Sequence, residues 1–262
     1  MPLLKKWLHF FIIYQFWIGW AAAAWILFFQ ITFNLKIDWI RITSIAFLVQ
    51  SGYALIRISQ YKLNNQLIHY QHIFNYRVAY FILFIVSIFA YTYQINSKST
   101  EWLTLTFIIL ISILYPFYLK RIPFIKGVFV SICWLLILPL HAANISFGEI
   151  FNLGFYILLL VLPFDIRDAE IDKQLGIKTW VNWRPEMKKI FIFIPLIISI
   201  TVNLVVSNAN SVLLYSLLFS QIILIFAHIN TFNTAQIIIL DVVYDGILIL
   251  LPFIATLIKL CL

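Results

Sequence analysis

The chain has 262 residues, of which 63% are hydrophobic and 11% charged. A soluble domain carries about 45–50% apolar and about 25% charged residues, so this composition excludes an ordinary globular protein in water and makes lipid the solvent of the chain. The formal charge of +8 comes without a nucleic-acid recognition motif, which leaves orientation in a membrane as its use and excludes nucleic acid as a partner.

A spanning helix needs about 20 mostly apolar residues. Lys5 and Lys6 precede an apolar stretch, and Ala21–Ala24 imitates a signal cleavage site. The stretch nevertheless continues through Trp25–Phe29, beyond the 7–15 or so residues of a signal core. An uncleaved first helix over Trp7–Phe33 is therefore expected. Further helices are expected at Ile37–Leu55, Val78–Ile95, Trp102–Leu119, Gly127–Leu140, Phe151–Pro163, Ile190–Val206, Val212–Asn230 and Ile237–Leu260, which makes nine. The fifth and sixth are short and are expected to extend into their polar flanks. In lipid the backbone must satisfy its own hydrogen bonds, so runs of this length are helices. No Gly/Ser/Pro-rich linker divides the chain, and one polytopic domain over residues 1–262 is expected. Cys133 and Cys261 both lie in apolar runs and form neither a disulfide framework nor a zinc set.

Lys and Arg set the orientation. With the N-terminus cytoplasmic and nine spans, all of the 18 basic residues except Lys36, Arg41, Lys98 and Lys259 fall on the cytoplasmic side. The expected product is a multi-pass protein of the inner (plasma) membrane. Its two longest polar connections, Arg57–Arg77 and Asp165–Lys189, both face the cytoplasm.

The second of these connections carries the chemistry. At 100° per residue, Asp165, Asp168 and Asp172 share one helical face, and Glu170 points away. Three carboxylates on one face repel one another unless a cation sits between them. Hard oxygen ligands suit Mg²⁺, which commonly bridges to a phosphate. Gly176 offers a helix stop, and Lys178 follows as a phosphate partner.

Asp165–Thr179 resembles the second Asp-rich motif of the UbiA superfamily of intramembrane prenyltransferases. Asp168 and Asp172 match its paired aspartates, Asp165 a frequent extra acid, and Gly176-Ile177-Lys178-Thr179 its tail. Tyr115–Arg121 with Lys126-Gly127 resembles the turn from the family's fourth helix into its fifth. The resemblance implies a ring of nine helices around a central cavity. It also implies Mg²⁺ held by Asp165, Asp168 and Asp172, with Asp168 and Asp172 as the catalytic pair. An isoprenyl diphosphate would ionise there and alkylate a lipophilic, often aromatic, acceptor.

The family's first Asp-rich motif belongs at the cytoplasmic end of the second helix. Ser51–Lys62 stands there, and no Asp or Glu occurs between Asp38 and Glu101. Arg57 is the candidate to hold diphosphate directly in place of a metal. Lys120 and Arg121 are further phosphate candidates, and Asp241 and Asp245, near the start of the last helix, are candidates for a second cation site. His69 and His72 read as solvated histidines. The alternative to a prenyltransferase is a degenerate relative that binds a prenyl lipid or a membrane partner without turnover. A transporter is disfavoured, since the chain shows no inverted repeat.

Overall fold

A computed structural model describes residues 15–63, 71–94, 102, 105–107, 109–110, 125–140, 143–174, 176, 181, 188–206, 210–231 and 237–262. The elements among them are all helices: α1 Phe16–Thr32, α2 Trp39–Leu63, α3 Gln71–Asn75, α4 Arg77–Gln94, α5 Ile125–Leu136, α6 Phe147–Arg167, α7 Ala169–Gln174, α8 Lys188–Val206, α9 Ser211–Thr231 and α10 Ile237–Cys261. The described residues between 102 and 110 are helical too, where the fourth span is expected. The sixth span extends into its flanks as expected. Its start is fixed by a capping box, in which Ser146 Oγ accepts from the Glu149 N–H at 3.2 Å while Glu149 accepts from the Ser146 N–H at 2.9 Å. The fifth also extends into its polar flank, starting at Ile125, but it ends at Leu136, short of Pro139, because the residue before a proline is pushed out of helical geometry.

Polarity in these helices is inverted relative to a water-soluble bundle. On α9, Tyr215, Phe219, Ile222, Phe226 and Ile229 form an exposed stripe, while Ser216, Ser220, Gln221 and His228 are fully buried. On α4, Val78, Ile82, Val86, Phe89 and Tyr93 face outward, with Tyr80, Ser87 and Tyr91 inside. An exposed apolar stripe over a polar interior is the arrangement that lipid favours. Among the described residues four helical stretches, Trp39–Ser59, Phe147–Ile166, Ser211–Ile229 and Val243–Cys261, are long and apolar enough to cross a membrane. The apolar helices Phe16–Thr32, Arg77–Tyr93, Lys126–Leu136 and Ile192–Val206 are shorter.

The chain divides into two compact units. The first comprises Met1–Ala23 and Asp38–Tyr118, and its α2 packs along α4. Gly19 of α1 lies against α2 so closely that a Cβ there would stand 2.9 Å from the Ala46 carbonyl oxygen, so only glycine fits this crossing. Arg41 of α2 donates to the Tyr91 hydroxyl of α4 at 3.3 Å, with its guanidinium 5.5 Å from the ring centroid.

The second unit comprises Ala24–Ile37 and Leu119–Leu262. Here α5 and α8 pack on α6, α9 packs on α8 and on α10, and α10 returns to α6. Polar side chains tie these helices together. Asn152 Nδ2 of α6 donates to Asn203 Oδ1 of α8 at 2.8 Å, and Asn203 Nδ2 donates to the Leu214 carbonyl of α9 at 3.2 Å. Gln221 of α9 donates to Ser199 of α8 at 2.9 Å. His228 of α9 shares a 2.7 Å hydrogen bond with Tyr244 of α10. Without a hydrophobic force between helices in lipid, packing and such bonds select the neighbours. Trp25, fully buried, stacks on Tyr156 and donates its indole N–H to the Trp134 carbonyl at 3.1 Å.

Candidate functional site

The Asp-rich segment is built at the end of α6. Pro163 lacks the N–H that would close on Leu159, which loosens the last turns of the helix. Asp168 caps α6 with φ −85° and ψ −1° and still donates its N–H to the Phe164 carbonyl at 2.9 Å. The Asp172 N–H, already in α7, reaches the Asp168 carbonyl at 2.8 Å. The backbone therefore passes the α6–α7 junction almost in helical phase, and Asp165, Asp168 and Asp172 stay on one face. Leu162, Ile166 and Ala169 take the adjoining flank of the helix and pack on buried Val181 and Ile192. Glu170 is exposed, as its phase requires. Gly176 adopts φ +68°, the left-handed geometry that ends a helix, and its N–H closes on the Lys173 carbonyl at 3.1 Å.

The three carboxylates converge on Lys126. Its Nζ lies 2.8 Å from Asp165 Oδ1, 3.0 Å from Asp172 Oδ2 and 3.8 Å from Asp168 Oδ2. The first two are charge-assisted contacts of ordinary length, and the third is an ion pair without a hydrogen bond. All four residues are buried: Asp172 is 0% exposed, Asp165 3%, Asp168 7% and Lys126 8%. Lys126 sits in the first turn of α5, the positive end of a helix dipole and a poor place for an isolated cation. The aspartates across from it offset that cost. Gly127 beside it lets α5 close on α6, since a Cβ there would stand 3.2 Å from Leu158 Cδ1.

This arrangement does not fit Mg²⁺. The ion requires oxygens at about 2.0–2.1 Å in near-octahedral order. The carboxylates are instead spaced for an ammonium, with the nearest at 2.8 and 3.0 Å. Among the described residues no group of three or more His, Cys, Asp or Glu side chains is placed to ligate one metal.

Of the other residues singled out from the sequence, Lys120, Arg121, Lys178, Thr179 and His69 lie outside the described residues, as do the side chains of His72 and Asp241. Asp245 is buried on α10. Its neighbour Tyr244 meets Phe164 edge-on at 6.1 Å, one residue before Asp165. Arg57 is half-buried on α2, in the first unit. Sequence reasoning placed Lys126 among the orienting charges and in the turn into the fifth helix, without pairing it to the aspartates, and passed over the His228–Tyr244 pair. A lysine beside a small residue at a helix start was the available signal, but its partners are 39 to 46 residues away, beyond the reach of any local spacing.

Neither a family model nor a curated protein matches this chain. Solved structures do. A UbiA homologue from Archaeoglobus fulgidus bound to Cd²⁺ is 16% identical, with a TM-score of 0.64, over 93% of this chain and 98% of that one. A structure of a UbiA homologue from the same organism bound to GPP and Mg²⁺ has a TM-score of 0.63 at 16% identity, over the same shares. The apo structure of a UbiA homologue from Aeropyrum pernix K1 has a TM-score of 0.62 at 10% identity, over 93% and 98%. The chain has the fold of the UbiA homologues.

Proposed function

We propose that the chain is a UbiA-superfamily prenyltransferase that moves an isoprenyl group from its diphosphate to a lipophilic acceptor. The observation that carries this reading is the coincidence of that fold with three buried aspartates at the α6–α7 junction. A structural neighbour bound to GPP supports a prenyl diphosphate as the substrate class. In the reaction the allylic C–O bond breaks, the diphosphate leaves with the electron pair, the acceptor bonds to the allylic carbon, and the acceptor loses a proton. Fixed cations near the leaving group stabilise its charge most where water is excluded. Lys120, Arg121 and Lys178 are the proposed diphosphate contacts, with Asp168 and Asp172 holding the local charge pattern. Nine spans in a ring, a cytoplasmic N-terminus and a cytoplasmic Asp-rich loop belong to the same proposal. Cysteine labelling from each side tests them, and labelling of Asp165–Lys189 from outside refutes the orientation.

The test of activity is transfer by the purified chain from radiolabelled prenyl diphosphates of several lengths to mixed lipid acceptors, with and without Mg²⁺. Labelled product is expected. A second reading, a relative that binds prenyl lipid without turnover, is favoured by the acid-free stretch between Asp38 and Glu101. Saturable binding of the diphosphate with no product after prolonged incubation supports that reading and refutes the first.

A further inference from the structure

We propose that Lys126 is the resident cation of the Asp165–Asp168–Asp172 cluster and stands where a divalent ion would otherwise sit. Three buried carboxylates on one face need positive charge between them, and the ammonium at 2.8, 3.0 and 3.8 Å supplies it from within the chain. An ammonium has three donors and no acceptor, which matches a concave set of carboxylate oxygens.

The spacing discriminates between the two cations. A magnesium ion would draw the oxygens to about 2.1 Å, so the two nearest carboxylates would close by most of an ångström while Lys126 withdrew. Withdrawal is obstructed. Lys126 is itself buried in the first turn of α5, and Gly127 next to it presses α5 onto Leu158 of α6. On the flank beside the acids, Leu162, Ile166 and Ala169 are held against Val181 and Ile192. The backbone that carries the cluster is thus packed on this flank as well as against α5, around a cation of ammonium size. It is charged and set without added metal, whether or not the chain transfers a prenyl group.

The experiment uses the full chain in nanodiscs, with Mn²⁺ as a paramagnetic probe read by the loss of free-ion signal, and thermal unfolding followed in parallel. The parent chain is expected to take up no Mn²⁺ in a manner sensitive to Asp172→Asn, and to unfold at the same temperature in Mg²⁺ and in EDTA. Lys126→Arg keeps the charge and is expected to behave like the parent in both respects. Lys126→Met is expected to unfold at a lower temperature, to take up about one equivalent of Mn²⁺ and to recover part of the loss when Mn²⁺ is present. If Lys126→Met fails to fold, the parent and Lys126→Arg titrations still decide. Mn²⁺ uptake by the parent that Asp172→Asn abolishes overturns the proposal. So does a folded Lys126→Met chain that takes up no Mn²⁺ or keeps the parent's unfolding temperature. None of these readouts depends on a prenyl substrate, so a failed transfer assay leaves the outcome intact.

Discussion

The two units handle buried polarity differently. In the first, the hydroxyls of Ser51, Ser59 and Ser87 donate to carbonyls three or four residues back in the same helix, and a charged side chain, Arg41, reaches across to Tyr91. In the second, Asn152, Asn203, Gln221 and the His228–Tyr244 pair reach across to a neighbouring helix, and Lys126 reaches across to three acids. Capacity explains the contrast. A hydroxyl can be satisfied by its own helix, so it specifies no neighbour. An amide or a carboxylate has more hydrogen-bonding sites than the local backbone can meet, and an imidazole holds its two ring nitrogens on opposite sides of a rigid ring, so burying one recruits another element. The second unit is held together by specific partners, and its ion cluster is the extreme case. The acid-free stretch between Asp38 and Glu101 falls within the first unit, and Asp165, Asp168 and Asp172 fall within the second.

The largest effect that this contrast predicts is at Lys126. Lys126→Met leaves three buried carboxylates facing one another, and breaking a buried pair from one side costs about 3–5 kcal/mol. Unfolding in mixed micelles measures it. Asp168→Asn is expected to cost far less, because Asp168 stands 3.8 Å from the ammonium and its loss also relieves repulsion from Asp165 and Asp172. Equal costs for the two substitutions would show that the cluster is not organised around the lysine.

Next comes ligand binding. Asp172→Ala and Asp168→Ala are each expected to weaken binding of a prenyl diphosphate several-fold or more, measured by equilibrium binding to the purified protein. Parent-like affinity in both would make the acids purely structural and would confine the likeness with the UbiA homologues to the fold.

How much of this was legible beforehand follows from what is local. The helices were legible because length and apolarity in lipid leave one backbone solution. The Ile237–Leu260 run needed nothing more, whereas of the Trp7–Phe33 run the described helix is Phe16–Thr32, preceded by Gln15 at φ +60°. The shared face of Asp165, Asp168 and Asp172 was legible because helical phase survives the turn at Asp168. The cation they face was not. Lys126 and Asp172 are 46 residues apart, and a lysine that orients a loop has the same sequence appearance as one that fills an acid cluster. The Asn152–Asn203 bond was hidden in the same way, since an asparagine inside an apolar run does not announce its partner.

That bond supplies a smaller test. Asn203 joins three helices, accepting from Asn152 and donating to Leu214. A double-mutant cycle with Asn152→Leu and Asn203→Leu is expected to give a coupling of about 0.6 kcal/mol, with a ceiling near 1.7 kcal/mol, the range for interhelical hydrogen bonds in lipid. Asn203→Leu alone should cost more than Asn152→Leu, because it also strands the Leu214 carbonyl contact. A coupling indistinguishable from zero would remove the partner-specific character attributed to the second unit.

The smallest effect is expected at Ser87, in the first unit. Ser87 is 3% exposed and donates to the Leu83 carbonyl at 2.7 Å. That carbonyl already accepts the N–H of the same residue in the helix ladder, so the hydroxyl bond is a second, weaker use of one acceptor. Removing it strands no group. Alanine is also a better helix former than serine by up to about 0.5 kcal/mol, and back-bonding hydroxyls slightly bend and weaken a helix. Against this stands the loss of one oxygen from a packed site, a volume too small to hold a water. The two effects nearly cancel, and Ser87→Ala is expected to change stability by less than about 0.5 kcal/mol in either direction. Unfolding in the same micelles as the asparagine cycle makes the comparison direct. If Ser87→Ala costs as much as the Asn152–Asn203 coupling, then a hydroxyl bonded to its own helix secures a neighbour as firmly as an amide that reaches across, and the distinction between the two units fails where it was expected to be plainest.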